Sequence, residues 1–123
     1  MANNLSKNLY SKFADEIYNN SPISIFIVNN SGIIKSANKS AIALTGLSLE
    51  NIIAKTIYEL VLKTETFFPK SWWQKVLKRN TNELLTLIKD SKDNEIPVKI
   101  TAQFNIDSEF HLLYVKSFHI SKK

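Results

Sequence analysis

The sequence contains no cysteine. That excludes disulfides, thiolate nucleophiles, thiolate-ligated metals and photochemistry through a cysteine adduct, and it accords with a reducing compartment. Glycine is nearly as scarce. Two in 123 residues cannot build a phosphate-cradling loop, which needs several backbone positions free of side chains. The only histidines, His111 and His119, both fall in the last apolar segment. In a strand they share a face but stand about 26 Å apart at about 3.3 Å per residue, so they cannot share a metal ion.

Long apolar runs are also missing. Nothing approaches the roughly 20 residues of a membrane span, and "MANNLSKNLYSKF" has no signal-peptide core. The expectation is a soluble, cytoplasmic domain without a membrane span. Basic residues outnumber acidic ones by 16 to 11, giving a net charge of +5. Yet they are scattered, and only "FFPKSWWQKVLKR" concentrates them, with Lys70, Lys75, Lys78 and Arg79 on one segment. A phosphate track needs a dense block, so these read as solvated surface rather than a nucleic-acid interface. Catalytic groupings are absent as well. Glu59 and Glu65 sit on separate elements and no Ser/His/Asp set is suggested by spacing, so no enzymatic activity is expected.

What is present is one domain's worth of chain, 44% hydrophobic and 22% charged. "LSKNLYSKFADEIYNN" predicts an amphipathic helix over residues 1–20, with Leu9, Phe13 and Ile17 at i, i+4, i+8. Pro22 ends it. The stripe either covers an open face of a sheet or pairs with a second copy.

"ISIFIV" and "GIIKSA" predict a hairpin through Asn29-Asn30-Ser31-Gly32, since Asn and Gly tolerate positive φ. Asn38 is placed to cap "KSAIALTG", Ser48 to cap "LENII", and Thr56-x-x-Glu59 forms a capping box for "IYELV". Such short helices must be held by packing. "FFPKSWWQKVLKRN" predicts a longer helix, with Ser71 and Gln74 as its capping box. Three strands close the chain. In "EIPVKITAQFNI", Ile96, Val98, Ile100, Ala102, Phe104 and Ile106 alternate with polar or small residues. The fold class is therefore α+β, a five-stranded antiparallel sheet with short helices across one face.

The segment "SPISIFIVNNSGIIKSANKSAIALTGLSLENIIAKTIYEL" resembles a PAS domain, the sensory module of many bacterial signalling proteins. Pro22, Gly32, Asn38 and Gly46 stand where that family's pattern wants them, and the likeness spans residues 21–121. It implies a sheet centred on the hairpin, with a small cavity under the arching helices. It also implies that Leu9, Phe13 and Ile17 form the interface of a homodimer. The sequence departs from many relatives at Asn29, where Asp is common, and at Ala54, where Gly is common. His119-Ile120-Ser121 replaces an Asp-Ile-Thr exit triplet.

Residues 122–123 stand where the family's linker begins, so the resemblance implies an input domain for a C-terminal output domain, as in a sensor histidine kinase or a diguanylate cyclase. A haem-ligating histidine would belong on the long helix, which has none, and the missing cysteine excludes covalent flavin. The cofactor is left unassigned. Strand parity and helix faces nominate Ile25, Ile27, Ile34, Leu44, Ile52, Ile57, Trp73, Leu87 and Phe104 as the cavity lining. All are apolar, so the expected ligand is small and hydrophobic. The alternatives are a filled core with Trp73 as a core residue, a domain that only dimerises or docks, and, ranked last, a nucleic-acid binder using Lys70, Lys75, Lys78 and Arg79.

Overall fold

Local chemistry sets most of the elements seen in the computed structural model, which describes residues 2–64, 67–79, 83–107 and 109–118. Helix α1 spans Ala2–Asn20 and is followed by strands β1 (Ser24–Asn29) and β2 (Ile34–Ala37). The turn between them is built by Asn29, whose Oδ1 accepts from the backbone N–H of Ser31 and Ile33 at 3.0 and 2.9 Å. Such side-chain bonds replace the ladder that a turn interrupts. Gly32 closes it at φ +80.

Four helices come next: α2 (Lys39–Thr45), α3 (Leu49–Ile52), α4 (Ile57–Leu60) and α5 (Pro69–Arg79). Asn38, Ser48 and Thr56 sit at the N-caps of α2, α3 and α4, as the spacing predicts. Gly46 ends α2 in the left-handed region, its N–H bonded to Ile42 O. The start of α5 differs from the expectation. Pro69, with no N–H to donate, takes the first helical position, and Trp72 N–H bonds Phe68 O. Ser71 therefore lies inside the first turn and caps nothing.

Strands β3 (Glu83–Lys89), β4 (Glu95–Asp107) and β5 (Phe110–Ser117) complete an antiparallel sheet in the order β2-β1-β5-β4-β3. The hairpin β1–β2 thus forms one side of the sheet, and β5 is its centre. This corrects the expectation that the hairpin is central. The cause is the antiparallel pairing of β1 with β5, from Ser24 opposite Val115 to Asn29 opposite Phe110.

The helical block lies on one face and also bonds to part of each edge. Backbone bonds run from Ile34 N to Lys55 O and from Ala54 N to Ile34 O beside β2, and from Leu62 N to Leu87 O beside β3. Partnered edges of this kind do not offer themselves to stray strands.

The core sits between sheet and helices. Phe26 and Val28 from β1, Val98, Ile100 and Ala102 from β4, and Leu113 and Val115 from β5 point into it. Ile34, Ile52, Ile57 and Trp73 meet them from the other elements. The opposite face carries Ile25, Ile27, Leu112, Tyr114 and Leu85, in step with their cross-strand partners.

Candidate functional site

Two places could carry function, one on each face of the sheet. The inner one is built around Trp73. Its indole is 2% exposed, and Nε1–H donates to the backbone carbonyl of Asn30 at 3.0 Å. The ring packs edge-on against His111 with centroids 6.1 Å apart. His111 is also 2% exposed. Its Nε2 donates to Asn30 Oδ1 at 2.7 Å, because a carboxamide oxygen can only accept. The turn residue Asn30 therefore serves α5 with its backbone and β5 with its side chain.

Packing here is close. A Cβ at Gly32 would stand 3.1 Å from both Trp73 Nε1 and Tyr58 Cε1. Burying an indole of roughly 200 Å² stabilises by several kcal/mol, so Trp73 is first of all a core side chain. Desolvation by the same burial pushes the His111 imidazole below its ordinary value of 6.5.

Of the nine side chains nominated as cavity lining, Ile34, Ile52, Ile57 and Trp73 are buried together in this layer, and Leu44 packs on its margin. Ile25, Ile27 and Leu87 do not join them. In β1 the inward residues are Ser24, Phe26 and Val28, so Ile25 and Ile27 face the other way. Leu87 pairs with Pro97 while its neighbour Ile88 turns inward. The Phe104 side chain and His119 lie outside the described residues. Sequence reasoning weighed His111 only as a metal ligand and missed its seat, although its phase with Leu113 and Val115 signals an inward position.

The outer site joins α1 to the outer sheet face. Leu9, Phe13 and Ile17 are all exposed, Phe13 by 55% and Ile17 by 70%. Helix α1 is held at its C-terminal end alone among the contacts described. Tyr18 OH pairs with Ser36 Oγ at 2.7 Å, and Asn38 Nδ2 donates to Tyr18 O at 2.7 Å. Asn38 is fully buried, and its Oδ1 accepts from Ile25 N and Ala41 N while Nδ2 also reaches Ile23 O. Every hydrogen-bonding position of that side chain is used.

Lys70 and Lys75 are exposed on α5, while the side chains of Lys78 and Arg79 lie outside the described residues. Among the described residues there is no group of three or more metal-ligating side chains and no helix long and apolar enough to cross a membrane.

The comparisons agree with this architecture. A family model for the PAS fold matches residues 12–113. Among curated proteins none matches the chain. The PAS domain of an HTR-like protein from Haloarcula marismortui superposes with a TM-score of 0.79 at 15% identity, covering 95% of this chain and 98% of that one. A PAS domain from a two-component sensor histidine kinase gives 0.78 at 17% identity, covering 91% and 99%. The PAS domain of the RpfR quorum-sensing receptor from Cronobacter turicensis, solved in complex with BDSF, gives 0.66 at 17% identity, covering 80% and 96%.

Proposed function

The chain belongs to the PAS fold family, and from that premise we propose that it is a sensory input module of the cytoplasm that works as a homodimer and drives an output domain joined after residue 121. The observation that carries this reading is a pair of apolar surfaces, one exposed on α1 and one half-buried on the outer sheet face. Leu9, Phe13 and Ile17 on α1 are half or more exposed, and Ile25, Ile27, Leu112 and Tyr114 form a half-buried, largely apolar band on the outer sheet face. Two copies that exchange these surfaces remove both from water, at about 25 cal/mol per Å². The relay is strand β5, whose alternate residues touch the inner layer and the outer band. A shift of His111 or Leu113 is also a shift of Leu112 and Tyr114.

Sedimentation of the wild type and Phe13→Glu tests the reading. The wild type sediments as a dimer and the variant as a folded monomer. A wild type that stays monomeric at high concentration overturns it.

A second reading, a small apolar ligand in the inner layer, is favoured by the apolar character of Ile34, Ile52 and Ile57 and by the BDSF complex of the quorum-sensing relative. Native and denaturing mass spectra test it: a mass excess lost on denaturation supports it, and bare chain mass in both removes it. A diguanylate cyclase or histidine kinase is the proposed output, in keeping with the kinase among the similar structures.

A further inference from the structure

Within the sensory reading, on which it rests, we infer that the signal received by this domain is acidification, with His111 as the proton-binding site and Trp73 as the side chain that moves. The geometry supplies the reasons. His111 lies on the central strand of the sheet, facing the helices, 2% exposed. Its neighbours are Val28 across the β1–β5 ladder, Asn30 from the turn, and the indole of Trp73 from α5. Tyr58 of α4 packs beside Trp73 against Gly32. Around Gly32 that layer is closely packed, a Cβ there standing 3.1 Å from Trp73 Nε1 and Tyr58 Cε1. A proton is the one ligand that needs no cavity.

Protonation here has a defined mechanical consequence. The neutral ring spends its Nε2–H on Asn30 Oδ1. A second proton adds a full charge in an apolar layer, where desolvation is costly. The buried polar residues described are Ser24, Asn38, Thr45 and His111, with no carboxylate among them. Among the described residues, the charged groups on the surrounding elements include Glu109 at the start of β5, Lys35 on β2, Glu59 on α4, and Lys70 and Lys75 on α5, all exposed, and Lys99 on β4 and Lys55 beside β2, both half-buried. The imidazolium is drawn towards water and the Glu109 carboxylate at the hairpin end, where Glu109, Lys35 and Asn30 line one groove. Either route pulls on Asn30, and Asn30 also holds Trp73 and thereby α5. Burial holds the site neutral until the medium is more acidic than an ordinary imidazole requires.

The sensing and dimer readings fail separately, because the readout is the emission of Trp73 and not the oligomeric state. In a Trp72→Phe background, Trp73 is the sole tryptophan. Its emission should fall on acidification, with a midpoint below 6.5, since imidazolium quenches indole far better than imidazole. Adding His111→Gln keeps an N–H for Asn30 but cannot titrate, and its curve should be flat. Glu109→Gln should keep the transition. A curve unchanged by His111→Gln, or no transition between neutral pH and the onset of unfolding, overturns the inference. If His111→Gln does not fold, the wild type decides by NMR. The Trp73 Hε1 resonance should shift with the same midpoint as the His111 ring, and independence of the two overturns the inference.

Discussion

Asn38 Nδ2 donates to the carbonyl of Tyr18 at 2.7 Å across 20 residues of chain. The same side chain caps α2 and receives the amide of Ile25, so the end of α1, the start of β1 and the start of α2 meet on one buried carboxamide. Replacing Asn38 with Ala leaves buried donors and acceptors unmade, at about 1–3 kcal/mol for each that cannot find water. A loss of about 3 kcal/mol or more by chemical denaturation is expected, with faster amide exchange at the end of α1. An unchanged exchange pattern in α1 would contradict this anchoring role.

Ala54 adopts φ 81, in the left-handed region. A Cβ there costs about 1–2 kcal/mol, partly offset by the greater freedom of glycine in the unfolded chain. Its methyl is exposed, so little packing is lost. Ala54→Gly should stabilise by about 0.5–1 kcal/mol, read from the denaturation midpoint. A destabilised variant would show that the strain estimate fails at this site.

Gly32 combines a φ of +80 with a would-be Cβ at 3.1 Å from Trp73 Nε1 and Tyr58 Cε1. Gly32→Ala should cost about 2 kcal/mol or more, the sum of backbone strain and displaced aromatic rings. Near-ultraviolet circular dichroism should lose its tryptophan fine structure. Retention of both stability and spectrum would mean that the inner layer is looser than its packing indicates.

Glu59 accepts hydrogen bonds from the backbone N–H and the hydroxyl of Thr56, and the backbone bond holds its carboxyl below the ordinary 4.5. A depressed carboxylate contributes stability above its unfolded value, and the contribution disappears as pH falls through the lowered folded value. The difference in melting temperature between wild type and Glu59→Ala should therefore be constant at neutral pH and close below about 4.5. The cap itself is worth about 0.5–1 kcal/mol. A difference that grows with acidity would reverse the sign and refute the assignment.

How much was legible in the sequence depended on the range of the interaction. The caps at Asn38, Ser48 and Thr56 and the turn at Asn29 are made with amides two to four residues away, so spacing alone located them. The inward set of β4, from Ile96 to Ala102, was equally plain, because polar residues such as Lys99 and Gln103 alternate with it.

Strand β1 was not readable in this way. Both of its faces are apolar, Ile25 and Ile27 on one, Phe26 and Val28 on the other, and the pairing with β5 chooses between them. The parity that turns Ile25 and Ile27 inward is the wrong one, since Ser24, Phe26 and Val28 are the buried set. Leu87 misled for a related reason: Leu84, Leu85, Leu87 and Ile88 are all apolar, and only pairing with β4 assigns their faces. The bond between His111 and Asn30 spans 81 residues and has no local signature at all.

The central claim is that a proton received on one face of the sheet is read out on the other. Sedimentation of the wild type and His111→Gln at pH values on either side of the Trp73 transition tests it most directly. His119 is kept in both proteins, so any difference between them belongs to His111. The account predicts a dimer at neutral pH whose dissociation constant changes severalfold on acidification in the wild type and stays constant in the variant. A dissociation constant that is the same at both pH values in the wild type, or that moves equally in both proteins, would contradict it.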